Sequence, residues 1–124
     1  SAELAFQSIS RLGELLRSGA ITARGLTELY LDRIARLDPR LNSYLTVLTE
    51  QALAAADESD ARRQAAAPRG PLDGIPIALK DNIDLAGVPT TAGIEARRGH
   101  LAAADAAVTA RLRAAGAVIL GKLN

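Results

Sequence analysis

Hydrophobic residues in the first half of the chain recur at helical spacing. Leu12, Leu15 and Leu16 fall at i, i+3 and i+4; Ser8 or Ser10 can cap this segment and Ser18-Gly19 ends it. Thr22 can cap a second helix that places Leu26, Leu29, Tyr30, Ile34 and Leu37 on one face and stops at Asp38-Pro39. Residues 43–48 then alternate, with enough β-branched character for a short strand. A third helix, rich in Ala and Arg, runs from about Glu50 to Gln64, and Ala67-Pro68-Arg69-Gly70-Pro71 is a stiff connector.

Beyond the connector the pattern changes to strands alternating with helix. Residues 75–79 are a short apolar run, and Pro76 inside it predicts an edge position or the strand start. Residues 81–93, rich in Asp, Gly, Pro and Thr, read as a loop. A helix beginning at Ala104-Asp105 places Ala107, Val108, Leu112 and Ala115 inward and ends at Gly116. Residues 117–120 are apolar throughout, as in a strand buried on both faces of a parallel sheet. Strand, helix, strand at this spacing predicts a βαβ crossover. The expected class is α/β, with N-terminal helices packed on a mixed sheet. Residues 1–67 form the helical layer with its one short strand; residues 68–124 form the strand-loop-helix-strand part.

Composition narrows the chemistry. At 124 residues the chain suits one domain, burying about two thirds of its unfolded surface if it folds alone. A net charge of +1 gives no electrostatic case for nucleic acid or an anionic membrane. Aromatics at 2% supply no stacking platforms for bases or sugars. With no cysteine and one histidine, thiolate nucleophiles and transition-metal sites are not expected, and no cofactor is implied. The opening Ser1-Ala2-Glu3-Leu4 has no basic, apolar leader, and no apolar run approaches the ~18 residues of a membrane span. A cytoplasmic protein is the expectation.

Lysine usage is the most informative single feature. Of 15 basic residues only Lys80 and Lys122 are lysine. Arginine stays protonated, whereas a desolvated lysine can become a general base. Moving an ammonium pKa from about 10.4 to about 7 costs roughly 4–5 kcal/mol in the charged form, which a closed cleft can supply and a solvated loop cannot. The segment alone leaves two readings of Lys80 open: a strand-end ammonium in water, or a base. Lys122 follows a buried strand too, but Gly121 beside it favours solvent exposure. Asp81 and Asp84 fit a solvated turn better than an acid–base or metal pair. Thr90 and Thr91 either line a pocket and brace the lysine or stabilise a turn. His100, beside Arg97, Arg98 and Gly99, reads as a loop residue.

Three blocks resemble the amidase signature family of hydrolases: Gly70-Pro71-Leu72-Asp73-Gly74-Ile75-Pro76-Ile77-Ala78-Leu79-Lys80-Asp81-Asn82-Ile83, Gly87-Val88-Pro89-Thr90-Thr91-Ala92-Gly93, and Asp105-Ala106 with the segment from Arg111 to Asn124. Their order and spacing match the family's, and the first half is similar in kind. The resemblance implies that this chain is the N-terminal portion of an amidase domain acting on a small amide. It also implies a Ser–cisSer–Lys mechanism in which the lysine matching Lys80 is the catalytic base. Two departures stand out. Every serine lies before residue 60 and none stands in the Gly-Ser-Ser context of the family's nucleophile, so the base is present without its serines. Ile94 occupies a position where the family usually has serine. The expected partner is therefore a complementary amidase segment, or self-association, with an isolated chain that hydrolyses nothing. The alternative within the family is the amidase-like component of a tRNA-dependent amidotransferase.

Overall fold

The computed structural model describes residues 3–124, which form four α-helices and three strands. In chain order they are α1 (Ile9–Ser18), α2 (Ala23–Leu41), β1 (Tyr44–Val47), α3 (Thr49–Gln64), β2 (Pro76–Lys80), α4 (Ala107–Ala114) and β3 (Val118–Leu123). Side chains seed the first two helices. The Ser8 hydroxyl accepts the Arg11 N–H and the Thr22 hydroxyl accepts the Gly25 N–H. Asp60 of α3 adds its carboxylate to the start of α2, accepting the Ala23 and Arg24 N–H groups at 2.8 and 3.0 Å. A carboxylate at a helix N-terminus also complements the helix dipole, so one residue both caps α2 and docks it on α3.

The predicted stop at Pro39 is corrected: α2 runs through it to Leu41. Proline removes one N–H from the last turn but does not set the end. Asn42 does, at φ 54°, with its N–H on the Asp38 carbonyl at 2.7 Å, while the Asp38 carboxylate takes the Ser43 and Tyr44 N–H groups.

The sheet has the order β1-β3-β2, with β1 antiparallel and β2 parallel to β3. The two apolar runs after the connector therefore lie side by side, joined through α4 as the crossover pattern predicted. Pro76 is the first residue of β2, which is an edge of this sheet, so its missing N–H interrupts no ladder between strands. On one sheet face Val118, Leu120 and Ile75 pack with Leu12, Leu16, Leu26, Ala52 and Ala56 of the first three helices. On the other face Ile119 and Leu79 meet Leu85 and Val88, with Leu112 of α4 against them. The inward face of α4 differs from expectation. Val108 is half exposed and Thr109 is buried, because the Thr109 hydroxyl donates to the Asp84 carbonyl at 2.7 Å and turns the helix about that anchor.

A buried carboxylate fastens the connector to the helical layer. Asp73 accepts the Ser59 hydroxyl (2.7 Å), two Arg62 guanidinium nitrogens (2.7 and 3.0 Å) and the Arg69 N–H (2.8 Å). Burial alone would push its pKa up, but these donors outweigh it and hold the group down to about 2. Gly116 closes over this carboxylate at φ +85°, leaving no room for a Cβ.

Because its folded pKa lies below the unfolded value of 3.8, Asp73 contributes stability that is complete above that value and lost as pH falls towards about 2. Urea titrations at stepped pH should show wild type losing stability steeply across this acid window. Asp73→Asn should be less stable at neutral pH by about 3 kcal/mol and should lose correspondingly less on acidification. Equal acid slopes for the two proteins would contradict the assignment.

Candidate active site

The site is built where β2 and β3 end together. Lys80 pairs with Leu123 across the parallel ladder and Leu79 pairs with Lys122. Paired neighbours project to the same side, so the two lysines leave the sheet on opposite faces. The register explains how. Between Ile77 and Leu79 β2 advances two residues while β3 advances from Ile119 to Lys122, one more. Strict alternation would have sent Lys122 to the side of Val118 and Leu120, under the helices. The extra residue in β3 turns it to the face of Ile119 and Leu79 instead, the re-aiming that a β-bulge performs. Gly121 sits in this irregular stretch with its Cα against β1, where a Cβ would overlap the Thr46 carbonyl oxygen.

Solvent exposure of Lys122, expected from its neighbours, is corrected. It is 0% exposed. Its ammonium donates to Asp81 Oδ1 at 3.1 Å, the Pro89 carbonyl at 3.3 Å and Thr90 Oγ1 at 3.4 Å, three acceptors for three N–H bonds. The solvated-turn reading of Asp81 is corrected with it, since Asp81 is 2% exposed. Its second carboxylate oxygen accepts both the N–H and the hydroxyl of Thr91. Burial would push the Asp81 carboxyl up; the Thr91 hydroxyl and the Lys122 ammonium together hold it below the ordinary carboxylate range. Asp84 takes no part, its carbonyl being used by Ala106 N–H and Thr109. Thr90 thus braces a lysine directly and Thr91 does so through Asp81, but the lysine is Lys122.

Backbone bonds complete the enclosure. Asp81 N–H reaches the Leu123 carbonyl at 2.8 Å, Ala92 N–H the Asp81 carbonyl at 2.9 Å, and Ile83 N–H the Lys80 carbonyl at 3.0 Å. Lys80 is therefore held at its backbone from both directions while its side chain is exposed. Among the described residues no carboxylate lies within ion-pair reach of it. No group of three or more His, Asp or Glu side chains converges among the described residues as a metal site would. His100 lies in the loop beyond, exposed, its carbonyl accepting the Thr90 N–H at 3.3 Å. Among the described residues Ser59 is the buried serine, committed to Asp73 in the helical layer.

The comparisons with known proteins agree with this architecture. A family profile described as Amidase matches residues 25–124. The chain belongs to the amidase signature family. It is 44% identical to a glutamyl-tRNA(Gln) amidotransferase component of Salinispora arenicola, over 98% of this chain and 25% of that protein. A protein of Mycobacterium bovis described as a putative amidase is 48% identical, over 98% of this chain and 26% of its own length. The native peptide amidase of Stenotrophomonas maltophilia superposes with a TM-score of 0.91 at 42% identity, over 97% of this chain and 25% of that enzyme. The chain thus spans about a quarter of the length of the relatives it matches.

Sequence reading misses Lys122 and Asp81 as a pair. The signal is available in the same rarity that singles out Lys80, but the register that buries Lys122 depends on one extra residue in β3. The two lysines should therefore differ in what they do for stability. Lys122→Met strands a buried carboxylate and should destabilise the chain by about 3–5 kcal/mol. Lys80→Met, at an exposed position, should stay within about 0.5 kcal/mol of wild type. Urea midpoints in the reverse order, or equal ones, would contradict the placement.

Proposed function

We propose that this chain is the N-terminal portion of an amidase domain that hydrolyses carbon–nitrogen bonds of amides, and that Lys80 is its general base. Family membership supports the reaction class. The observation that carries the role is the place of Lys80: the carboxyl end of a strand in a parallel pair, the position around which open α/β sheets assemble their sites. The backbone there is fixed and the amine is uncommitted. As an amine, Lys80 would take a proton relayed from a serine hydroxyl through a second, bridging serine, as that hydroxyl attacks the amide carbon. The same proton would return to the departing nitrogen as the carbon–nitrogen bond breaks, leaving an acyl-enzyme for water to hydrolyse. The cost of a neutral lysine calls for desolvation, and in this chain Lys80 is exposed. Protein covering it must come from elsewhere.

Two features support a complementary segment of the same domain as that cover. Both β1 and β2 are edges of the sheet, and large apolar side chains stand beside the β1 edge: Leu41 is 66% exposed, with Leu45 and Val47 also exposed. The serines of the chain are the second feature, since Ser59 is bound to Asp73 and the other described serines lie in or beside the helical layer. The nucleophile therefore has to be supplied with the cover. The amidotransferase reading draws support from the 44% identity with the Salinispora arenicola protein and would use Lys80 in the same way.

A chimera tests this directly: the chain replaces the matching quarter of the Stenotrophomonas maltophilia peptide amidase. The chimera should hydrolyse that enzyme's substrate, the pure chain should hydrolyse none, and Lys80→Ala in the chimera should lower kcat by about 10³-fold. An active Lys80→Ala chimera, or turnover by the pure chain, would overturn the assignment.

A further inference from the structure

We propose that Lys122 and Asp81 form a positioning clamp for Lys80, so that the two lysines of the chain have separate tasks. The inference rests on Lys80 being the base, but its geometry stands without that reading. Lys80 and Asp81 are consecutive, so whatever fixes Asp81 fixes the peptide that carries Lys80. Asp81 is fixed on every side. One carboxylate oxygen takes Lys122 from the end of β3, the other takes Thr91 from the loop, its N–H is on Leu123 and its carbonyl holds Ala92.

Lys122 in turn gathers Pro89 and Thr90 from the same loop. The three N–H bonds of its ammonium match three acceptors in a site closed to water, an arrangement that uses the group as a charged cross-link and leaves it no approach to a substrate. The pair also consumes the carboxylate nearest to Lys80 in sequence. With Oδ1 on Lys122 and Oδ2 on Thr91, on the face opposite Lys80, Asp81 is withheld as a counter-ion for the base. The bulge in β3 makes the separation possible, because it turns Lys122 towards Asp81 and away from the helix side. Lys122 and Asp81 are on this account positioning residues, acting on Lys80 through the backbone.

Two lysines make the test direct. In the chain labelled with ¹⁵N at lysine Nζ, only two ammonium signals are possible. Lys122 should exchange its ammonium protons with water at least ~10-fold more slowly than Lys80, as a closed, bonded group does. Asp81→Asn keeps shape and removes charge; it should remove that protection and displace the Nζ and backbone amide signals of Lys80, while amide signals of α1 and α2 stay in place. The double variant Asp81→Asn/Lys122→Met removes both charges and with them the stranded ion, so stability returns towards wild type. A pair with only a bulk structural role would restore the Lys80 signals together with stability; a positioning clamp leaves them displaced.

Equal exchange at the two lysines, unmoved Lys80 signals in Asp81→Asn, or their return in the double variant would each overturn the clamp. None of these readouts involves hydrolysis. If the clamp signatures are present while Lys80→Ala leaves the chimera active, the positioning holds and the base assignment fails.

Discussion

A single buried ion pair, Asp81 with Lys122, decides what the end of this sheet looks like. Its desolvation cost is high, and one carboxylate facing one ammonium recovers that cost only when the remaining donors and acceptors are also satisfied. Here they are: the ammonium has two further oxygens and the carboxylate has two further donors from Thr91. Every one of those partners belongs to the loop that follows β2. The loop at residues 81–93 packs Ile83, Leu85 and Val88 into the cluster around Ile119 and Leu79. Its ends are held by charge and hydrogen bonds, and one of those ends begins at Lys80.

The same device is repeated at the opposite end of β2. Asp73 precedes the strand as Asp81 follows it, and it too is a buried carboxylate saturated by donors from other elements. Asp73 ties the strand start to α3 and, through the close approach of Gly116, to the turn before β3. Asp81 ties the strand end to the end of β3. A five-residue edge strand that begins with proline has a weak ladder of its own, and two ionic anchors compensate for it.

Much of this is legible in the sequence. Leucine spacing locates α1 and α2, the uniformly apolar run of residues 117–120 marks β3 as the strand covered on both faces, and the strand-helix-strand order places β2 beside it in parallel. Other features are set by contacts that no local pattern encodes. Pro39 predicts a stop because its effect on a helix is local and strong, yet Asn42 and the Asp38 carboxylate end α2 three residues later. Thr109 rather than Val108 faces inward because a distant carbonyl, that of Asp84, captures its hydroxyl. The burial of Lys122 is hidden for the subtlest reason: in a strand, one inserted residue exchanges the two faces, and the one local sign of the insertion, the glycine at 121, reads equally well as an exposed strand end. Scarcity of lysine marks both residues equally, and only the three-dimensional register separates their tasks.

Native-state hydrogen exchange at the amides of Asp81, Thr91 and Ala92 reads out whether the Asp81–Lys122 pair holds the loop to the sheet. These three N–H groups bond the Leu123 carbonyl, the Asp81 carboxylate and the Asp81 carbonyl. If the ion pair welds the loop to the sheet, they exchange only when the whole chain unfolds, at the same free energy as the amides of β3. Exchange through a local opening several kcal/mol below global unfolding, with β3 still protected, would show that the loop moves independently of the sheet and that the pair does not hold it.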